Sequence, residues 1–143
     1  MSGLQCLLYM SHATRAMSPE EIDRLLHGAR ERNRLRGVTG ALLYYDGRFV
    51  QVLEGEAAAV EQCFSRIRTD PRHEQVTPLH REPIEAARFP QWSMRYVSLD
   101  GPGDRAVAAF LDQLQRQPTP ETVKQAITLL HRLAGTAADS PAR

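Results

Sequence analysis

An α+β fold of ferredoxin-like type is predicted for this chain by three observations. Apolar patterning over the first two thirds follows the order β-α-β-β-α-β-β. Each of the two helices in that run carries a single apolar stripe, so each is suited to cover one side of a sheet. The dipeptide Asp46-Gly47 joins two strands as an antiparallel hairpin. Two helices on one face of such a mixed sheet is the ferredoxin-like arrangement. Two more amphipathic helices follow, so the expected division is a sheet-bearing domain over 1–100 and a helical extension with a short tail over 101–143.

The elements follow from local chemistry. Gly3 to Met10 is short and apolar and reads as the first strand, with Leu4, Cys6, Leu8 and Met10 on one face. Gln5, Leu7, Tyr9 and Ser11 share the other. A rim tyrosine with a wet hydroxyl is the ordinary account of Tyr9. Ser18-Pro19-Glu20-Glu21 opens a helix, with Ser18 as N-cap and Glu21 completing a capping box. That helix runs to Leu35 on a stripe of Ile22, Leu25, Leu26 and Ala29, and Gly37 ends it. Asn33 falls about 20° from Ile22 around the axis, on the core face. Helix evidence alone favours Asn33 as a C-cap; the alternative points its amide into a pocket.

Val38 to Tyr45 and Arg48 to Gly55 are the hairpin strands. A second helix, Glu56 to Thr69, turns Ala57, Val60, Phe64 and Ile67 inward and stops at Asp70-Pro71. Glu74 to His80 and Gln91 to Leu99 are further strands, with Pro83 and Pro90 flanking the loop between them. Gly101-Pro102-Gly103 breaks the chain. Beyond it lie a helix from Asp104 to Arg116 with Val107, Phe110, Leu111 and Leu114, and one opened by Thr119-Pro120-Glu121 with Val123, Ala126, Ile127 and Leu130. Their stripes need cover from the sheet's free face, from each other or from another chain. The tail after Gly135 is expected to be disordered.

Composition narrows the function. The 143 residues suit one domain, and a formal net charge of +1 supports neither nucleic-acid nor membrane-surface binding. Cys6 and Cys63 form no CxxC and read as small core hydrophobes. The histidines are scattered, and neither HExxH, GxSxG nor a Walker loop occurs, so metal and nucleophilic hydrolysis are not expected. With no leader peptide or membrane-length apolar run, a cytoplasmic protein is expected. The anomaly is Gln51, a carboxamide on one strand face between Phe49 and Leu53. Buried without partners it costs roughly 1–3 kcal/mol. Either it bonds a loop backbone, or its strand is a wet edge, or it faces a bound polar ring.

Read together, several segments resemble the BLUF family, bacterial sensors of blue light using FAD. They are Tyr9-Met10-Ser11, Asn33, Val38 to Tyr44, Gly47 to Gly55, Asp70-Pro71-Arg72-His73 and Arg88 to Met94, in that order. The match covers Leu4 to Leu99. It implies a flavin ring lying between the two ferredoxin-like helices, FAD with FMN as the alternative, and no enzyme activity. The resemblance makes Tyr9, Ser11, Asn33, Gln51, Arg72 and His73 the cofactor-binding residues. Asn33 would meet the pyrimidine edge and Gln51 would bridge the Tyr9 hydroxyl and the ring, while Arg72 would meet the C2-carbonyl side. Arg32 is assigned no role. Tyr9, Gln51, Trp92 and Met94 would be photoactive, with Tyr9 as electron donor and Gln51 left rotated or as its imidic tautomer. One of Trp92 or Met94 would approach Gln51 and yield its place.

Output is then expected through the C-terminal helices to an unidentified partner protein. The chain is expected to be a homo-oligomer, dimer or larger, with no direct contact to nucleic acid or membrane. Two rival readings are a flavin-dependent redox enzyme and a cofactor-free ferredoxin-like oligomeric scaffold.

Overall fold

The computed structural model describes residues 3–45, 47–89, 93–98 and 104–136. Nine elements follow in order: β1 (Leu4–Ala13), α1 (Pro19–Arg36), β2 (Thr39–Tyr45), β3 (Arg48–Glu56), α2 (Ala57–Thr69), β4 (His73–Ile84), β5 (Arg95–Ser98), α3 (Asp104–Arg116) and α4 (Pro120–Thr136). The sheet order is β4-β1-β3-β2-β5. Its first four strands are antiparallel neighbours, and β5 joins β2 in parallel. This is the ferredoxin-like arrangement with one strand added at the edge.

Side-chain alternation builds a three-layer molecule. Leu7 and Tyr9 of β1, Leu42 of β2, and Phe49 and Leu53 of β3 pack against Ile22, Leu25 and Leu26 of α1 and against Val60 and Phe64 of α2. The intervening residues Cys6, Leu8, Met10, Ala41, Leu43, Val50 and Val52 face the other way. There they meet Leu111 and Leu114 of α3 and Val123, Ala126, Ile127 and Leu130 of α4. The C-terminal helices therefore cover the sheet's second face and each other. Each buried Leu or Ile contributes about 1.5–3 kcal/mol, which no isolated amphipathic helix of this length would gain.

Local chemistry sets the boundaries. Ser18 Oγ accepts from Glu21 N–H at 3.2 Å while Glu21 Oε1 accepts from Ser18 N–H at 2.8 Å, completing the capping box. Gly37 caps α1 in the left-handed region at φ 71°, so Asn33 is not the C-cap that the helix alone favoured. The strand of Glu74 to His80 is longer than expected, reaching Ile84, because β4 is an edge strand that tolerates Pro78 and Pro83. The last strand is shorter: β5 starts at Arg95, and Ser93 and Met94 precede it. Trp92, Asp46, Pro90 and the Gly101-Pro102-Gly103 break lie outside the described residues, as does the tail beyond Thr136. No described helix is long and apolar enough to cross a membrane.

One glycine of β2 sits hard against the backbone of its neighbour β3. A Cβ on Gly40 would lie 1.9 Å from Val52 O, and its φ is 157°. Gly47, at φ 73°, has nothing within 4 Å. Gly40→Ala is therefore expected to lower unfolding stability by at least about 2 kcal/mol, and Gly47→Ala by roughly 1 kcal/mol. Urea midpoints of the two variants check this ordering.

Candidate functional site

The ferredoxin-like helices leave a cleft between them, floored by the sheet. It holds about 490 Å³ of empty space, part of it open to solvent. From α1 come Leu25, Ala29, Arg32 and Asn33, spaced at helical intervals so that all four fall on one face. From α2, the turn after it and the first residue of β4 come Cys63, Arg66, Ile67, Asp70, Arg72 and His73. Tyr9, Leu42 and Gln51 form the floor.

Strand register sets that floor. Tyr9 is directly opposite Gln51 across the β1–β3 ladder, and Leu42 is opposite Gln51 across β2–β3. β3 is thus a central strand, and Gln51 is only 5% exposed; the wet-edge account of this residue is wrong. Nor does its amide bond a loop backbone. The Tyr9 hydroxyl donates to Gln51 Oε1 in a short hydrogen bond. Gln51 Nε2 donates to Met94 Sδ at 3.1 Å. The orientation is fixed by the partners, because a thioether accepts and never donates. Burial, with smaller contributions from Cys63 and Asp70, pushes the Tyr9 phenol well above its ordinary pKa. The phenol is therefore held protonated as a donor.

Asn33 stands on the facing helix. Its Nδ2 donates to Ser93 O at 2.8 Å and its Oδ1 accepts from Cys63 Sγ at 3.6 Å. Cys63 thus borders the cleft rather than lying in the core, unlike Cys6. Arg72 binds Asp70, with Nη2 2.6 Å from Oδ2 and Nε 3.0 Å from Oδ1. Burial works to raise the Asp70 pKa, but these Arg72 bonds outweigh it and hold the carboxyl low. His73 Nδ1 lies 2.8 Å from Ser11 Oγ, and its ring sits 4.7 Å from Phe49 and 6.5 Å from Tyr9, centroid to centroid. Ser11 is buried behind His73, away from the cleft lining. Of the expected site residues the structure brings together Tyr9, Asn33, Gln51, Met94, Arg72 and His73.

Two residues without an assigned role also border the cleft, Arg32 and Arg66. Burial lowers the Arg32 pKa first, and the neighbouring charge of Arg66 adds to it. Three guanidinium groups against the single Asp70 carboxylate make the rim attractive to an anion. Helical spacing was the available signal: Arg32 lies seven residues after Leu25, and Arg66 lies three after Cys63. Among the described residues no cluster of His, Cys, Asp and Glu is arranged to hold a metal.

Comparison with known proteins gives four findings. The family model described as "BLUF: Sensors of blue-light using FAD" matches residues 4–95. The photoactivated adenylate cyclase subunit beta of Euglena gracilis is 41% identical over 92 residues, which is 64% of this chain but 11% of that protein. The chain therefore spans about a tenth of that relative. The dark-state structure of BlrB, a BLUF protein, is 39% identical with a TM-score of 0.77, covering 95% of this chain and 98% of that one. Klebsiella pneumoniae BlrP1 with FMN and cyclic diGMP is 34% identical with a TM-score of 0.68, covering 93% of this chain and 35% of that one.

Burial lowers the His73 pKa from 6.5 to about 4, outweighing the attraction of Asp70. The unfolded chain thus takes up a proton before the folded one does. Stability from this residue is complete above about pH 6.5 and is lost as pH falls toward about 4. His73→Gln, which keeps a polar partner for Ser11, should remove on the order of 2–3 kcal/mol of that acid loss. Urea unfolding of both proteins across this range measures the difference.

Proposed function

Because the chain belongs to the BLUF family, sensors of blue light using FAD, we propose that it is a blue-light photoreceptor holding FAD non-covalently in the cleft between α1 and α2. The observation that carries the reading is the hydrogen-bonded row Tyr9–Gln51–Met94 at the inner end of that cleft. The residues suit a flavin. Leu25, Ala29, Leu42 and Ile67 offer apolar walls to a flat ring, two carboxamides can meet its polar edge, and the arginine rim can meet phosphate. FMN is the alternative cofactor. Bound flavin supplies blue absorption and, when excited, a strong oxidant.

The chain's own residues supply the switch. The Tyr9 hydroxyl already points its proton at Gln51 Oε1, so an oxidised phenol has an acceptor in place. Gln51 then either turns its amide or takes the imidic form. If the amide turns, Oε1 faces Met94 Sδ, and two lone-pair-bearing atoms replace a donor and an acceptor. Met94 is favoured in one orientation only, which is the differential contact a population shift requires. The next residue, Arg95, donates from Nε to Ala134 O at 3.0 Å on α4. A route of contacts thus runs from Gln51 through Met94 to the C-terminal helices. We read 1–100 as the sensing part and 101–143 as the output part. The output would be altered helix packing that regulates a partner protein in the cytoplasm, with the chain acting as a homo-oligomer. Asn33, Arg72 and His73 would bind the cofactor, and Ser11 would set the His73 ring.

The enzyme reading needs an open substrate site beside the reacting edge, where Tyr9, Gln51 and Met94 instead close the cleft. Purified protein should be yellow and should undergo a reversible red shift under blue light without added substrate. Gln51→Leu and Tyr9→Phe should each retain flavin and lose the shift, read by absorbance before and after illumination. A colourless protein supports the scaffold, turnover without a shift supports the enzyme, and a normal photocycle in Tyr9→Phe removes Tyr9 as electron donor.

A further inference from the structure

We propose that Arg30 is a positioning residue for the read-out segment, holding the Met94 carbonyl so that the Met94 thioether stays on the Gln51 amide. Arg30 Nε donates to Met94 O at 2.8 Å. One turn later on the same face of α1, Asn33 Nδ2 donates to Ser93 O at 2.8 Å. Two side chains of one helix thereby take the carbonyls of two consecutive residues. Those residues are the ones just ahead of β5, whose pairing with β2 begins at Arg95. Side chains from α1 hold this segment where sheet pairing does not.

The two anchors differ. Asn33 borders the cleft, so its amide is shared with whatever the cleft binds. Arg30 is not among the described lining residues, so its bond to Met94 is not shared directly with a ligand in the cleft. Its bond is also charge-assisted, and stronger than one between neutral groups. With the carbonyl fixed, Met94 can leave Gln51 only by turning its side chain in place. The tether therefore opposes the lit arrangement, in which Gln51 no longer donates to sulfur, and it shortens the lifetime of that state. This inference rests on the photoreceptor reading above.

The test uses the flavin-loaded protein with methionine methyl groups labelled with carbon-13, the Met94 resonance being assigned through Met94→Leu. Arg30→Met keeps a chain of similar reach without a donor, and Arg30→Lys restores a cationic donor. In darkness the Met94 methyl resonance should move in Arg30→Met and return toward its original position in Arg30→Lys. After blue light, dark recovery should slow by roughly three- to tenfold in Arg30→Met, with flavin content and the size of the red shift unchanged, and Arg30→Lys should restore it. Arg30→Leu, also without a donor, carries the same comparison if Arg30→Met does not fold. A merely structural Arg30 would lower thermal stability while leaving the methyl resonance and the recovery rate alone, and that result overturns the proposal. The two layers separate cleanly. A missing red shift in the unaltered chain defeats the photoreceptor reading. A normal shift with unaltered recovery in Arg30→Met defeats the tether alone.

Discussion

A carboxamide shut inside an apolar layer must find partners or forfeit roughly 1–3 kcal/mol, and Gln51 finds them in a phenol and a thioether. That arrangement depends on register. Tyr9 faces Gln51 because β1 and β3 pair with Leu8 against Val52 and Met10 against Val50. A slip of one residue would send Gln51 to the opposite face, among the C-terminal helices, and bring Val50 or Val52 into the cleft floor. The central position of β3, the close backbone contact at Gly40 and the covering of both sheet faces all serve to make that slip costly. The core is what makes one hydrogen-bonded row reproducible.

The same alternation places residues of one short segment in contact with both layers. Met94 belongs to the layer under α1 and α2, while Val97 of β5 belongs to the layer under α3 and α4. Arg95 reaches from between them to the last turn of α4. A second clasp ties α3 to the hairpin end of the sheet. Arg48 pairs with Asp112 at 2.5 Å and donates to Gln115 Oε1 at 2.7 Å, and the Tyr45 hydroxyl donates to Asp112 at 3.1 Å. Glu54, three residues from Gln51, accepts the N–H groups of Arg88 and Phe89 at 2.7 and 3.1 Å. Burial raises its pKa, and those two bonds oppose the rise. Phe89 in turn stacks edge-on against His131 of α4 at 5.3 Å. The helical layer is thus fastened to the strands by polar bonds as well as by apolar contact.

Much of this was legible in the sequence, for physical reasons that vary by element. Strong periodicity and complete caps fixed α1, since Ser18, Pro19, Glu21 and Gly37 each satisfy a backbone need that exists only at a helix end. Gly47 and the alternation around it gave the β2–β3 hairpin. The start of β5 was not legible, because Ser93 and Met94 look strand-compatible and leave the ladder only when Arg30 and Asn33 take their carbonyls, a contact 60 or more residues apart in sequence. The far end of β4 was hidden by Pro83, which argues against a strand until its edge position is known. In the site, Gln51 stood out as a polar residue in an apolar alternation. Asn33 was ambiguous because an amide near a helix end fits a cap as well as a pocket. Arg32 and Arg66 passed unassigned because a charge on a helix usually faces water, and only the opposing helix shows that both border a cleft.

The choice of sulfur opposite Gln51 has its own logic. Were residue 94 to present a carbonyl oxygen, the amide N–H would be bound firmly and rotation would sacrifice a full hydrogen bond, about 1 kcal/mol net and more in a buried setting. Were it to present leucine, the N–H would be buried without any partner, and the starting orientation would lose its preference. A thioether is a weak acceptor on a flexible, unbranched side chain. It gives the Gln51 N–H a partner and so favours one orientation, and on the proposed reading it would swing aside if the amide offered oxygen instead. A gap of about 1–3 kcal/mol would keep one orientation dominant while leaving the other within reach. On the proposed photoreceptor reading, it is the weakness of this contact that would let a local event tip the amide and let it return.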